Sequence, residues 1–161
     1  MPVLLCRDID LQDLRTSLER YRMIVKCVAP DDPIPGSFWQ PPEAGLNGRG
    51  LYVRDDTPVH SALHEACHYI CMDQSRRENL DTDAGGDYAE ENGVCYLQVL
   101  LADHIPGMGK NRMFSDMDAW GYSFRLGSSR AWFERDAEDA RAWLQRYQLI
   151  DNDNAPTWQL R

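Results

Sequence analysis

Residues 57–72 read TPVHSALHEACHYICM, and the centre of this stretch, residues 64–68, is the HExxH pattern. Thr57 and Pro58 predict a helix start, with threonine as the N-cap and proline at the first helical position. No Gly or Pro follows before Met72, and the apolar residues recur at helical spacing. Two histidines four positions apart lie on one side of such a helix and can reach the same metal ion.

The motif predicts His64 and His68 as two ligands of one divalent metal ion. Glu65 is the candidate catalytic residue, because a carboxylate beside the first histidine can serve a water or a reacting group at the metal. Histidines on the buried side of an apolar helix need polar partners, and a metal is the simplest one. The alternative is that both are ordinary core or surface histidines.

A second helix is predicted over residues 87–101, and it is apolar almost all round after its first turns. A carboxylate in such a helix is costly to bury unless it is paired or bound to a metal. Glu91 is the predicted third ligand, because its face also carries Cys95 and Gln98, and the glutamine offers a polar partner two turns away. Glu90 is the alternative.

Other polar residues near the motif have predicted roles at its margins. His60 is two turns before the second motif histidine, roughly 11 Å along the helix axis, so we expect it at the rim of the site or in helix-end hydrogen bonding. Cys71 could instead form a His/His/Cys structural site. Arg76 and Arg77 follow the helix, where they complement its dipole, tie down residues 74–86 or contact a substrate.

Composition excludes some classes of partner. The chain has 161 residues, which predicts a single domain over residues 1–161, and its 17 basic and 26 acidic residues give a formal charge of −9. This acidic surplus, without a Lys/Arg cluster, argues against a nucleic-acid partner. Five cysteines without framework spacing predict reduced thiols and a cytoplasmic protein. No long apolar run opens the chain, so neither a signal peptide nor a membrane segment is expected.

The remaining pattern predicts an α+β fold, in which a small sheet of two or three strands packs on four or five helices and the metal site lies between two core helices. A frayed tail is expected over residues 151–161. Besides the two core helices, the predicted elements are a helix opened by Ile9 and Asp10, strands over 23–29 and 51–53, a short helix bearing Met117, Trp120 and Phe124 and closed by Gly127, and a last helix over 129–148.

Residues 30–50 form a long segment with five prolines and four glycines. Long connections without regular structure are uncommon in compact domains and are often functional. Phe38 and Trp39 within it could cover the site, although they could equally be an anchor for the loop. The strand over 51–53 leads directly into the HExxH helix, where an edge strand could pair with an extended peptide.

The region around the motif resembles the metal-site segment of the bacterial elongation factor P hydroxylases over about residues 57–83. The resemblance implies an iron-dependent oxygenase that modifies a lysine on a translation factor, with Glu91 completing two histidines and one carboxylate. The chain departs from that family at Asn92–Cys95, where the family has a more polar segment. The residues that carry the resemblance are Ser61-Ala62-Leu63-His64-Glu65, His68-Tyr69, Arg76-Arg77-Glu78 and Asp81.

Two enzyme classes follow from one set of ligands. With Fe(II), His64, His68 and Glu91 would leave positions open for dioxygen, as in a hydroxylase that acts on a protein side chain. With Zn(II), Glu65 would be the general base of a peptidase, and the layout is also similar to that of small zinc peptidases of the minigluzincin type. A non-catalytic metal-binding domain is the third alternative. The expected substrate in either enzyme class is a protein or peptide.

Overall fold

The computed structural model of the protein describes residues 2–37, 41–81 and 83–161. Within these ranges the chain forms a small mixed sheet and seven α-helices, which confirms the α+β class. The strands are β1 (Ile24–Cys27), β2 (Gly45–Asn47) and β3 (Gly50–Val53). The helices are α1 (Leu11–Glu19), α2 (Val59–Cys71), α3 (Gln74–Glu78), α4 (Tyr88–Ala102), α5 (Gly109–Trp120), α6 (Ser129–Arg135) and α7 (Glu138–Arg146).

β3 is the central strand of the sheet. It pairs in parallel with β1 and antiparallel with β2, so both of its edges are already hydrogen-bonded. The expectation that this strand offers an edge to a peptide is therefore wrong. β2 was not predicted, because it lies in the Gly/Pro-rich segment. The backbone there is packed closely: a Cβ atom on Gly45 would lie 2.0 Å from the carbonyl oxygen of Pro35.

α2 carries the HExxH motif and is buried along almost its whole length. It begins after Pro58, which is its N-cap and makes no side-chain capping bond. Thr57, the predicted N-cap, instead accepts a hydrogen bond at Oγ1 from the backbone N–H of Arg54, at 2.9 Å. At the other end, Nη1 of Arg77 donates to the carbonyl oxygens of Tyr69 and Met72 and so satisfies the last turn of the helix.

α4 packs along α2 and brings the second half of the site to it. Asp87 is its N-cap and accepts from the backbone N–H of Glu90 at 2.9 Å. The other side of α4 packs on α7 at Gly93, where an added Cβ atom would lie 2.7 Å from the ring of Trp143. A glycine here lets the two helices approach closely.

The C-terminal half contains more and shorter helices than predicted. α3 was not expected, and the predicted helix over 129–148 is two helices, α6 and α7, that are interrupted at Asp136 and Ala137. α5 ends at Trp120, because Gly121 takes a left-handed conformation with φ of 98°. Phe124, predicted to continue the stripe of α5, lies beyond that helix and stacks on Trp132 with ring centroids 4.7 Å apart.

The segment over residues 151–161 is hydrogen-bonded to the rest of the protein, so the expectation of a frayed tail is wrong. The Asn154 side chain donates to the hydroxyl of Tyr96 at 2.6 Å. The backbone N–H of Arg161 donates to the carbonyl oxygen of Ile70 at 3.1 Å. The tail therefore contacts both α2 and α4, the two helices that carry the motif and the candidate third ligand.

Candidate metal centre

His64 and His68 of α2 face Glu91 of α4 across the interface between the two helices. The Nε2 atoms of the two histidines are 3.1 Å apart. Oε1 of Glu91 lies 3.2 Å from Nε2 of His64, and Oε2 lies 3.1 Å from Nε2 of His68. The structure thus brings together the three residues predicted as ligands, and their donor atoms face one another.

Gln98 determines which nitrogen of His64 carries a proton. The carboxamide Nε2 of Gln98 donates to the carbonyl oxygen of His60 at 3.0 Å, which leaves its Oε1 to accept from Nδ1 of His64 at 2.8 Å. An amide oxygen only accepts, so Nδ1 of His64 must hold a proton. In the neutral ring, Nε2 of His64 then presents its lone pair to the other two donors.

This donor set requires a positive charge at its centre. A neutral His68 could donate from Nε2 to Glu91, but the lone pair of His64 would still face a carboxylate oxygen at 3.2 Å. A metal ion or an extra proton removes that repulsion. Ligand atoms at about 2.1 Å from one ion lie roughly 3.0–3.4 Å apart at octahedral to tetrahedral angles. The observed separations of 3.1 to 3.2 Å fit that requirement.

The pKa shifts of the cluster have the same electrostatic origin. Burial opposes the ionisation of Glu91, but hydrogen bonds to the two histidines outweigh it and hold the pKa of this carboxyl below its usual value. Burial also opposes protonation of His64. Tyr122, Cys95 and Glu91 outweigh that effect and raise the pKa of His64 well above the usual value. Without a metal ion, both shifts favour a protonated His64 paired with an ionised Glu91.

Glu65 lies beside the histidines and lines a cleft of about 490 Å³ together with His64 and Glu91. Its carboxylate and one nitrogen from each of His64 and His68 lie within 4.8 Å of one another. Burial raises the pKa of Glu65, so this carboxyl can hold a proton at a higher pH than an exposed glutamate can. The cleft is thus lined by two of the candidate metal ligands, His64 and Glu91, and by the Glu65 carboxyl, which is suited to proton transfer.

Glu90, the alternative third ligand, points away from the histidines. Its side chain is 3% exposed, against 44% for Glu91. Arg76 donates to both of its carboxylate oxygens, at 2.9 and 2.5 Å, and Nη1 of Arg161 donates to one of them at 3.0 Å. Glu90 therefore pairs with two arginines. Because adjacent residues of a helix point in different directions, Glu90 and Glu91 contact different groups.

The arginines after α2 have structural contacts. Arg76 also donates to the carbonyl oxygen of Ala84 at 3.0 Å and so ties the loop before α4 to Glu90. Arg77 caps the C-terminal end of α2, as the interpretation based on the helix dipole predicts. Cys71, considered for a His/His/Cys site, belongs to no cluster of metal-ligand type among the residues that the structure describes.

His60 is fully buried, so the expectation that it lies at the rim of the site is wrong. Its Nδ1 is hydrogen-bonded to the hydroxyl of Tyr122 at 3.3 Å, and that hydroxyl accepts from Nε2 of Gln98 at 3.4 Å. Burial lowers the pKa of His60 to about 3, which keeps the ring neutral. His60 therefore belongs to a chain of hydrogen bonds that leads through Tyr122 and Gln98 to His64.

Several residues of the cleft were not predicted from the sequence. Tyr122, Trp120 and Glu43 line it together with Glu65, and the indole N–H of Trp120 donates to Glu43 at 2.7 Å. Glu43 also accepts from the hydroxyl of Ser61. These residues come from the end of α5 and from the segment before β2. No local pattern in the sequence indicates that these segments meet the motif.

Residues 30–50, which were predicted to cover the site, are described by the structure except for residues 38–40. Phe38 and Trp39 lie outside the described residues, so their role stays a prediction. The same segment does reach the cleft, because the backbone N–H of Ala44 donates to Oγ of Ser61 at 3.0 Å and Glu43 reaches the same hydroxyl.

Comparisons with known proteins do not identify the chain. It matches no protein-family model, no curated protein and no solved structure. The resemblance to the elongation factor P hydroxylases therefore stays a prediction from residues 57–83. Among the described residues, no helix combines the length and the apolar character that crossing a membrane requires.

Proposed function

We propose that this protein is a mononuclear metalloenzyme in which His64, His68 and Glu91 hold one divalent ion. The observation that supports this most strongly is the convergence of Nε2 of His64, Nε2 of His68 and the Glu91 carboxylate, whose atoms lie 3.1 to 3.2 Å apart. Donor atoms at these separations fit around one ion, and the bond from Nδ1 of His64 to Gln98 leaves Nε2 to bind it. The glutamate beside the ligands and the cleft above them support an enzyme over a purely structural site.

The ion would supply Lewis acidity for hydrolysis or a site for dioxygen in an oxidation. Glu65 would accept or donate a proton at its carboxylate, and burial, which raises its pKa above the usual value, favours that role. Gln98 holds His64 in the tautomer that turns Nε2 to the ion. Tyr122 and Trp120 line the cleft beside Glu65.

The first candidate chemistry is oxygenation of a protein side chain with Fe(II), as in the family that residues 57–83 resemble. Two histidines and one carboxylate are the ligand set of many iron oxygenases. The acidic composition and the five free cysteines are consistent with a cytoplasmic enzyme that acts on a protein or peptide rather than on a nucleic acid.

The second candidate is zinc-dependent hydrolysis of a peptide bond. The position of Glu65 favours it, because a carboxyl of raised pKa next to two metal-binding histidines is the general base that hydrolysis needs. A metal-binding domain without catalysis is a weaker proposal, since it gives Glu65 no task in the cleft.

The metal content of protein purified without added ions, once in air and once anaerobically, tests the proposal. We expect one ion per chain, which the variant Glu65→Gln keeps while it loses turnover by about 100-fold or more. Activity that requires Fe(II) and O₂ would establish the oxygenase. Peptide cleavage with Zn(II) under anaerobic conditions would establish the hydrolase.

Glu43→Gln is the matched control, because it removes a carboxylate from the same cleft outside the HExxH motif. It should retain the ion, and its loss of turnover should be smaller than that of Glu65→Gln. A wild-type protein that binds no stoichiometric ion, or a Glu65→Gln variant with full turnover, would overturn the proposal.

A further inference from the structure

Cys95 lies one helical turn after Glu91 on the same face of α4. Its Sγ atom is 3.9 Å from Oε1 of Glu91, and Sγ, the Glu91 carboxylate and a ring nitrogen of His64 lie within 4.8 Å of one another. Cys95 is also buried, with 5% of its surface exposed. The thiol thus borders the donor cluster directly.

The other cysteines on α2 differ from Cys95 in this respect. Cys67 and Cys71 are fully buried among apolar side chains, and among the described residues neither belongs to a cluster of metal-ligand type. The separations among His64, His68 and Glu91 fit one metal ion whether or not Cys95 is considered. The thiol therefore lies next to a site that is argued on separate observations.

We propose that Cys95 is a fourth protein ligand of the metal ion held by His64, His68 and Glu91. This inference rests on the proposed function, because it assumes that the three residues bind an ion. The Sγ–H bond breaks, its proton leaves to solvent, and a bond between Sγ and the metal forms without any change in oxidation state. A thiolate at about 2.3 Å from an ion lies roughly 3.6 Å from a ligand at about 2.1 Å. The observed distance of 3.9 Å between Sγ and Oε1 of Glu91 is close to that separation.

Two consequences follow for the chemistry of the centre. A soft thiolate ligand favours Zn(II) over harder ions, so the metal chosen by the protein depends on Cys95. A fourth protein ligand also occupies a position that a substrate would otherwise take. The resting centre would then be closed, and Cys95 would have to leave the ion before substrate binds.

Titration of the metal-free full chain with Co(II) alone tests this inference, because a thiolate bound to cobalt produces an intense charge-transfer absorption in the near ultraviolet. We expect this absorption to saturate at one Co(II) per chain in the wild-type protein. Cys95→Ser should lose it and bind Co(II) at least about tenfold more weakly. Cys67→Ala and Cys71→Ala are matched controls from α2 and should keep the absorption.

The outcomes separate the two proposals. Stoichiometric Co(II) binding without the charge-transfer absorption would overturn the role of Cys95 and leave the proposed function intact. Absorption that persists in Cys95→Ser would overturn it as well. Absence of stoichiometric binding in the wild-type protein would overturn both proposals.

A measurement on the wild-type protein covers the case in which Cys95→Ser does not fold. The cadmium NMR resonance of the protein loaded with Cd(II) alone should lie well downfield of the range for ligand sets of nitrogen and oxygen only, because sulfur deshields the nucleus. A resonance inside that nitrogen and oxygen range would overturn the proposal.

Discussion

Adjacent glutamates of α4 serve different purposes because one step along a helix turns a side chain by about 100°. Glu90 turns inward to two arginines, and Glu91 turns to the histidines of α2. The helix phase that predicts Glu91 as the third ligand also explains why Glu90 is buried against cations instead.

We predict opposite effects for the two conservative substitutions. Glu91→Gln should weaken Zn(II) binding by orders of magnitude. It should change the melting temperature of the metal-free protein less than Glu90→Gln does, because Glu91 is far more exposed than Glu90 and no arginine loses its partner. Glu90→Gln should keep the affinity and lower the free energy of unfolding by about 2 kcal/mol, because Arg76 and Arg161 lose a charged acceptor. Calorimetric titration and thermal unfolding measure the two effects.

Each glutamine variant is the control for the other. If Glu90→Gln abolished binding while Glu91→Gln retained it, the ligand would have to be placed one residue earlier on α4.

The pairing of α4 with α7 depends on the absence of a side chain at Gly93. A Cβ atom there would lie 2.7 Å from Cε3 of Trp143, closer than packed carbon atoms approach. We predict that Gly93→Ala lowers the free energy of unfolding by about 1–2 kcal/mol, since overpacking costs more than the helix propensity gained from alanine. Denaturant unfolding measures it.

The same substitution in a Trp143→Leu background provides the control. With the indole removed, Gly93→Ala should stabilise the protein by about 0.5–1 kcal/mol, as alanine does in a helix interior. Equal destabilisation in both backgrounds would show that the ring does not set the helix spacing.

Helices that have a clear local pattern in the sequence could be predicted from it. The apolar patterns of α2 and α4 predicted both helices, and the phase of α4 favoured Glu91 over Glu90 as the residue facing the motif. β2 could not be predicted from the sequence, because Gly45 has a low strand propensity. The glycine is needed there because the backbone of Pro35 leaves no room for a Cβ atom. The break between α6 and α7 at Asp136 was not predicted either, because no Gly or Pro marks it. The Asp136 side chain pairs with Arg125, 11 positions earlier in the chain.

The residues of the candidate site also fall into those that a local pattern predicts and those that depend on how the helices pack. His64, His68, Glu91 and Gln98 are set by helical spacing and could be predicted. Tyr122 could not be, because it reaches the cleft from a turn 58 positions after His64 in the numbering. Its place there depends on how α5 packs on α2 and α4, which no short-range pattern reports.

At the scale of the whole molecule, Arg161 joins three helices. Its Nη1 donates to the carbonyl oxygen of Cys71 at 3.2 Å and to Glu90 at 3.0 Å. Its guanidinium lies over the rings of Trp143 and Tyr147, 5.2 and 4.1 Å from their centroids. The last segment of the chain thus holds together α2, α4 and the region of α7.

We predict that Arg161→Ala lowers the free energy of unfolding by about 2–3 kcal/mol, because two largely buried hydrogen bonds from a charged group and two cation–π contacts are lost together. Arg146→Ala is the control. It removes an exposed arginine that lies over Tyr147 at 5.5 Å, and it should change stability by less than about 0.5 kcal/mol. Equal effects on the melting temperature would show that Arg161 adds nothing beyond a surface contact.

The buried Nδ1 of His68, which has no partner among the described residues, also bears on the stability of the protein. A buried polar atom without a partner costs free energy of folding, and an apolar residue of similar size would remove that cost. On the proposed function, this part of the chain gives up stability for the ion that it would bind.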